Sequence, residues 1–105
     1  MEIRNGHKSE IENFQLYSED NAGEKVLVAE SNGQVVGYAQ VTGNRIFFME
    51  SEAKGAGRAL IQYLKSQNDY LVAVNCVSSA RGFYEKMNFQ PVGKENDYDW
   101  YEGDD

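Results

Sequence analysis

Between residues 25 and 50 the apolar positions fall into three short runs separated by turn residues. Lys25-Val-Leu-Val-Ala-Glu30 leads into Ser31-Asn32-Gly33-Gln34, and Asn-Gly between two apolar runs is the strongest short-range hairpin signal. Gln34-Val-Val-Gly-Tyr-Ala-Gln-Val41 follows, then Thr42-Gly43-Asn44 as a second turn, then Arg45-Ile-Phe-Phe-Met-Glu50. The pattern predicts an antiparallel meander. Strict alternation along the third strand puts Ile46, Phe48 and Glu50 on one face and Phe47 and Met49 on the other.

From residue 56 the period changes to that of a helix: Ala56, Ala59, Leu60, Tyr63 and Leu64 share one stripe, which runs out near Gln67-Asn68-Asp69. Tyr70-Leu-Val-Ala-Val-Asn75 is nearly continuous in apolar residues, as in a strand covered on both faces. Strand, helix and strand in this order predict a βαβ unit with its strands parallel. A second helix fits 78–88, with Ser78 or Ser79 as N-cap and Asn88 at a left-handed C-terminal position. Residues 89–93 and 98–102 read as two closing strands around Lys94-Glu-Asn-Asp97. The first 24 residues predict a short strand at 2–4 and one amphipathic helix through Ile11, Phe14, Leu16 and Tyr17. The expected class is α/β with a mixed α+β sheet, and 105 residues fit one domain, 1–105.

Composition then removes several classes. No run approaches the roughly 18 apolar residues of a membrane helix, and MEIRNGHKSE has no signal-peptide core. A single cysteine, Cys76, and a single histidine, His7, offer neither an internal disulfide nor a structural zinc site. A cytoplasmic protein without metal is expected. The net charge of −7 is unevenly spread. Residues 1–24 hold six acids and two bases, 25–94 five acids and eight bases, and 95–105 six acids and no base. A pI near 4.6 opposes nucleic-acid binding, which needs cations to neutralise phosphates. The basic middle suits a small polyanion, and the acidic ends suit a cationic partner or are simply solvated.

The junction Glu52-Ala53-Lys54-Gly55-Ala56-Gly57-Arg58-Ala59-Leu60 lies between the third strand and the first long helix. Two glycines there permit close backbone approach to a ligand, and the open N–H groups of a first helical turn attract anions. Lys54 and Arg58 add positive charge, so a pyrophosphate is the natural guest; a tight strand-to-helix turn alone also accounts for the glycines. A dinucleotide-binding loop wants a small residue where Leu60 stands, and a P-loop wants Gly-Lys-Ser/Thr, which is missing. With one imidazole no nucleophilic triad is available, and Cys76 reads as a small core thiol.

Downstream, Asn75, Ala80, Phe83-Tyr84-Glu85-Lys86 and Phe89 follow Gly55-x-Gly57 with the intervening strand and helix in place. In this order the chain from about Val26 to Val92 resembles the GNAT superfamily of acetyl-CoA-dependent N-acetyltransferases. The resemblance implies a GNAT-like fold: the meander, the βαβ unit, a second helix and a C-terminal strand pair. It implies that backbone around Lys54, Gly55, Ala56, Gly57, Arg58 and Ala59 holds the pyrophosphate of coenzyme A. It implies two splayed strands, with pantetheine along the edge near Phe48 and Met49, Asn75 bonding the pantetheine arm, and Phe83 beside it. Tyr84 matches the tyrosine that protonates the departing thiolate, and Glu50 the carboxylate that takes the proton of the amine; Glu30 and Glu52 are rivals for the base. Three residues depart from the family pattern: Glu52 for Arg or Gln, Ala53 for a frequent glycine, and Asn88 for the glycine before Phe89.

The resulting expectation is an acyltransferase that moves acetyl from acetyl-CoA to a primary amine by direct attack. The short N-terminal part leaves the acceptor side open, which suits an amine of a cationic protein or peptide. The alternative is a non-catalytic GNAT-fold sensor of acetyl-CoA or a protein-binding regulator.

Overall fold

The computed structural model describes residues 1–21, 23–93 and 95–103; Lys94 of the expected turn and Asp104 and Asp105 of the acidic tail lie outside the described residues. Seven strands form one sheet: β1 (Glu2–Gly6), β2 (Lys25–Ser31), β3 (Gln34–Thr42), β4 (Arg45–Ser51), β5 (Tyr70–Ala73), β6 (Gln90–Pro91) and β7 (Tyr98–Tyr101). Helix α1 (Ala56–Gln67) joins β4 to β5, and α2 (Ser78–Lys86) follows β5. The spatial order is β1-β2-β3-β4-β5-β7-β6, antiparallel except where β4 meets β5.

The predicted meander is present. Asn32 and Gly33 both take positive φ, 53° and 79°, as a two-residue hairpin loop matched to strand twist requires. Alternation on β2 and β3 sends Leu27, Ala29, Ala39 and Val41 to the helix-covered face, where Leu60, Ile61, Leu64, Tyr84 and Trp100 complete the larger core. Val26, Val28 and Tyr38 point to the opposite face and pack with Ile11 and Phe14.

On β4 the strict alternation fails. Val41 pairs with Ile46 and Gln40 with Phe48, so Phe47 is an extra residue without a partner. The bulge puts Ile46 and Met49 against the helix-side core and Phe48 on the opposite face, rather than Ile46 with Phe48. The N-terminal amphipathic helix is not formed either. A 3-10 turn at Lys8–Glu10 is followed by successive short turns, with the N–H groups of Ile11, Phe14 and Tyr17 bonded three residues back. Ile11 and Phe14 are buried as expected, but the chain needs only anchors there, and Leu16 stays exposed.

Smaller differences concern ends. β1 runs past residue 4 to Gly6, fastened by Arg4, whose guanidinium bonds Glu10 at 2.7 Å and Glu30 at 2.8 Å. Val77, extended at φ −66° and ψ 153°, is the N-cap of α2 in place of either serine, and α2 closes at Lys86. Asn88 takes φ 68°, the left-handed position expected of it. β6 is two residues long because Pro91 cannot extend the ladder.

Candidate active site

β4 and β5 share only two residue pairs, Arg45 with Val72 and Ile46 with Ala73. The last bond between them runs from the Val74 N–H to the Ile46 carbonyl at 2.9 Å. Beyond it β4 continues to Ser51 while the other chain turns away, since Asn75 takes φ 51° and donates its N–H to Asp97 Oδ1 at 2.7 Å. A wedge opens between them.

At the wide end of the wedge lies a cavity of about 560 Å³. Its walls are Met49, Glu50 and Ser51 of β4, the turn at Ala53–Gly55 with Gly57 and Arg58, and Ala80, Phe83, Tyr84 and Lys86 of α2. A narrower recess of about 70 Å³ runs on between Ile46–Met49 and Val74–Val77, with Leu16 also on its wall. Met49, Ala80 and Tyr84 line both, so the two adjoin along these side chains and are described together as one groove.

The turn at the wide end presents backbone donors. Gly55 stands at the N-cap of α1 with φ 88°, a left-handed conformation that costs any residue with a Cβ about 1–2 kcal/mol. A Cβ there would meet nothing within 4 Å, so the glycine is demanded by the backbone and leaves open space in front. The Ala56 N–H bonds Ala53 O at 3.1 Å and the Ala59 N–H bonds Gly55 O at 3.0 Å. Those two amides are spent within the turn, whereas the N–H groups of Gly55, Gly57 and Arg58 have no partner among the described residues. With the helix dipole behind them and Lys54, Arg58 and Lys86 on the walls, these donors are of the kind that could hold an anion such as a diphosphate. Gly57 serves a second purpose: a Cβ there would lie 3.3 Å from Phe83 Cζ, so the glycine also lets α1 approach α2.

Tyr84 is 5% exposed. Its ring packs edge-on to Phe83 and Phe89, both with centroids at 5.3 Å, and parallel to Tyr98 at 6.4 Å. Burial, and then the neighbouring Cys76, push its pKa well above that of an ordinary phenol, so the hydroxyl stays protonated. That hydroxyl has no hydrogen-bond partner among the described residues. Cys76 is buried, its Sγ 3.6 Å from Ala73 O, and burial with the Asp97 charge pushes its thiol up to about 11.

Glu50 lines the cavity, and its carboxylate is well occupied. Oε1 accepts the Leu16 N–H at 2.9 Å and the Tyr38 hydroxyl at 3.3 Å, and Oε2 accepts the Gln15 N–H at 3.1 Å. Burial and this carboxylate raise Tyr38 above an ordinary phenol, so Tyr38 is the donor in that pair. Of the rivals, Glu30 is held by Arg4 and Glu52 is exposed; neither lines the groove. His7 is also exposed and away from it.

Phe48, Met49, Lys54, Gly55, Gly57, Arg58, Asn75 and Phe83 all lie on the groove, as do Glu50 and Tyr84. Ser51, Lys86, Leu16 and Val77 lie there too, although sequence reasoning did not select them. Lys86 was findable, being three residues after Phe83 on one helix face. Leu16 was not, since it reaches the groove through turns with no periodic signal. Among the described residues no cluster of metal-ligating side chains occurs, and no helix is long and apolar enough to cross a membrane.

The fold has known counterparts. The crystal structure of the Bacillus subtilis N-acetyltransferase YlbP in complex with coenzyme A superposes on it with a TM-score of 0.75, at 17% identity and with 95% of each chain covered. No curated protein matches the sequence. The sequence model of the acetyltransferase (GNAT) domain, however, matches residues 4–102. The chain therefore belongs to the GNAT acetyltransferase family.

Proposed function

We propose that the protein transfers an acetyl group from acetyl-CoA to a primary amine carried by a cationic protein or peptide. The observation that carries this reading is the set of three open amides, Gly55, Gly57 and Arg58, at one end of a groove that continues past the hydroxyl of Tyr84. Acetyl-CoA supplies a thioester carbonyl open to attack and a thiolate that can depart. The YlbP structure, which holds coenzyme A on the same fold, supports the choice of carrier.

Each wall residue then has a task. The open amides and the charges of Lys54, Arg58 and Lys86 hold the diphosphate, while Ala56 and Ala59 keep the turn in shape through their own bonds. The edge of β4 at Phe48 and Met49, unpaired on its β5 side, offers ladder positions to the amides of the pantetheine arm. Asn75 adds a side-chain amide from the other wall, and Phe83 packs against the arm.

Tyr84 donates to the sulfur as negative charge develops there, and its proton ends on the departing thiol. A buried phenol is a weak acid, but the same apolar walls disfavour a thiolate, so the proton moves between two groups that burial affects alike. Glu50 takes the proton that the amine releases; its Oε2 accepts one bond in the structure and has a lone pair to spare. Cys76, a neutral thiol at physiological pH, takes no acetyl group, so attack by the amine is direct.

The six acids of residues 1–24 and the six of residues 95–105 favour a cationic acceptor over a neutral one. The test is release of coenzyme A from acetyl-CoA across polyamines, aminoglycosides and basic and neutral peptides. Turnover on basic peptides is expected. Turnover confined to a small neutral amine would contradict the acceptor class, and carrier binding without turnover on any amine would favour a sensor over an enzyme.

A further inference from the structure

We infer that Tyr38 and Asn21 are positioning residues for Glu50: together they hold its carboxylate so that one oxygen alone is open to the amine. The inference rests on Glu50 as the base of the proposed transfer and deepens that reading. Tyr38 and Glu50 are directly paired across β3 and β4, so their side chains leave the sheet on one face. Tyr38 is fully buried, with the ring of Phe14 edge-on at 5.1 Å, and this packing fixes where its hydroxyl ends. The hydroxyl stays protonated and donates to Oε1 at 3.3 Å.

The second support comes from the main chain. The Leu16 N–H donates to Oε1 at 2.9 Å and the Gln15 N–H to Oε2 at 3.1 Å. An irregular turn aims its amides only if it is itself held. Asn21 holds this one, its Nδ2 donating to the Leu16 carbonyl at 3.1 Å and to Gln40 Oε1 at 3.2 Å. Gln40 lies two residues beyond Tyr38 on β3, hence on the same face, and is completely buried. Its Nε2 has no partner among the described residues, so this side chain costs stability where an apolar one would not. Its Oε1 nevertheless anchors Asn21, and through Asn21 the turn. With two donors on Oε1 and one on Oε2, the remaining lone pair of Oε2 is the place left for the proton of the amine.

A double-mutant cycle tests this. Coenzyme A release from acetyl-CoA is measured with a lysine- and arginine-rich peptide for the unaltered protein, Tyr38→Phe, Asn21→Ala and Glu50→Gln. The first two variants are also each combined with Glu50→Gln, and coenzyme A affinity is followed by calorimetry. Tyr38→Phe keeps the ring contact with Phe14, and Asn21 is only half-buried, so both variants retain the fold, which circular dichroism checks. Should Tyr38→Phe lose the fold, Asn21→Ala decides. Each single variant is expected to lower kcat about three- to tenfold, the worth of one ordinary hydrogen bond, with coenzyme A affinity and acceptor KM unchanged. In the Glu50→Gln background the same substitutions are expected to cost less than about twofold, because both act through the carboxylate. Equal losses in the two backgrounds, or full kcat in both single variants, overturn the positioning role alone. Full kcat in Glu50→Gln overturns the base assignment beneath it. No turnover by the unaltered protein, with the carrier bound, overturns the transfer reading and this inference with it.

Discussion

Gly57 in the first turn of α1 faces the ring of Phe83 on α2 so closely that a Cβ would stand 3.3 Å from Cζ and 3.4 Å from Cε1. Phe83 is half-buried and also forms a wall of the groove, so a shift of its ring away from a new Cβ alters that wall. Gly57→Ala is expected to change stability by less than about 1 kcal/mol, because the gain in helix propensity offsets the contact. Coenzyme A affinity should nevertheless fall. Gly55→Ala should do the opposite at the level of the fold: nothing lies within 4 Å of a Cβ there, yet φ of 88° makes the variant about 1–2 kcal/mol less stable. Thermal or denaturant unfolding beside calorimetry separates the two.

Tyr84→Phe removes a hydroxyl without a hydrogen-bond partner among the described residues and keeps the ring contacts. Stability should be unchanged or slightly raised, coenzyme A should bind as before, and kcat should fall by about 10²–10⁴. The raised pKa of the phenol adds a pH expectation. The neutral form is the one favoured by the fold, so the stability it contributes is complete below about pH 10 and is lost only as pH rises beyond. A loss of kcat between pH 7 and 9 that disappears in Tyr84→Phe would refute this assignment.

Much of this site was legible in the sequence because its residues obey local rules. Asn32-Gly33 announced the hairpin, Gly55 and Gly57 the strand-to-helix turn, and Asn88 the left-handed end of the second helix. What was not legible depends on contacts across the fold. The bulge at Phe47 is set by how Gln40 and Val41 pair with β4, and it moved Phe48 to the face away from Ile46. The buried pair Ile11 and Phe14 fits a helix by spacing, but the N–H groups of Gln15 and Leu16 go to Glu50 instead of a helical ladder. Serine at 78 looked like a cap, yet Val77 holds the extended backbone at that position.

Cys76→Ala should leave turnover within a few-fold of the unaltered protein. The thiol titrates near 11, so it is neutral at assay pH and a poor nucleophile. Thiol-blocking reagents should react slowly for the same reason. An acetylated Cys76 trapped by rapid acid quench, seen by mass spectrometry, would contradict direct transfer.

The Arg4 guanidinium binds Glu10 and holds that carboxyl down to about 2 against an ordinary value of 4.5. Because the folded value is the lower one, the stabilisation is complete above about pH 4.5 and is lost as pH falls towards 2. Glu10→Gln should destabilise the protein at pH 7 and narrow the gap to the unaltered chain as pH is lowered through that window. Equal pH dependence of the two chains, followed by denaturant midpoints, would count against the pairing.

The most direct test is titration calorimetry of the protein with coenzyme A beside pantetheine, which lacks the diphosphate. If the open amides of Gly55, Gly57 and Arg58 grip that group, coenzyme A binds at one site and pantetheine binds at least tenfold more weakly. Equal affinity for the two, or no heat with coenzyme A, would contradict it.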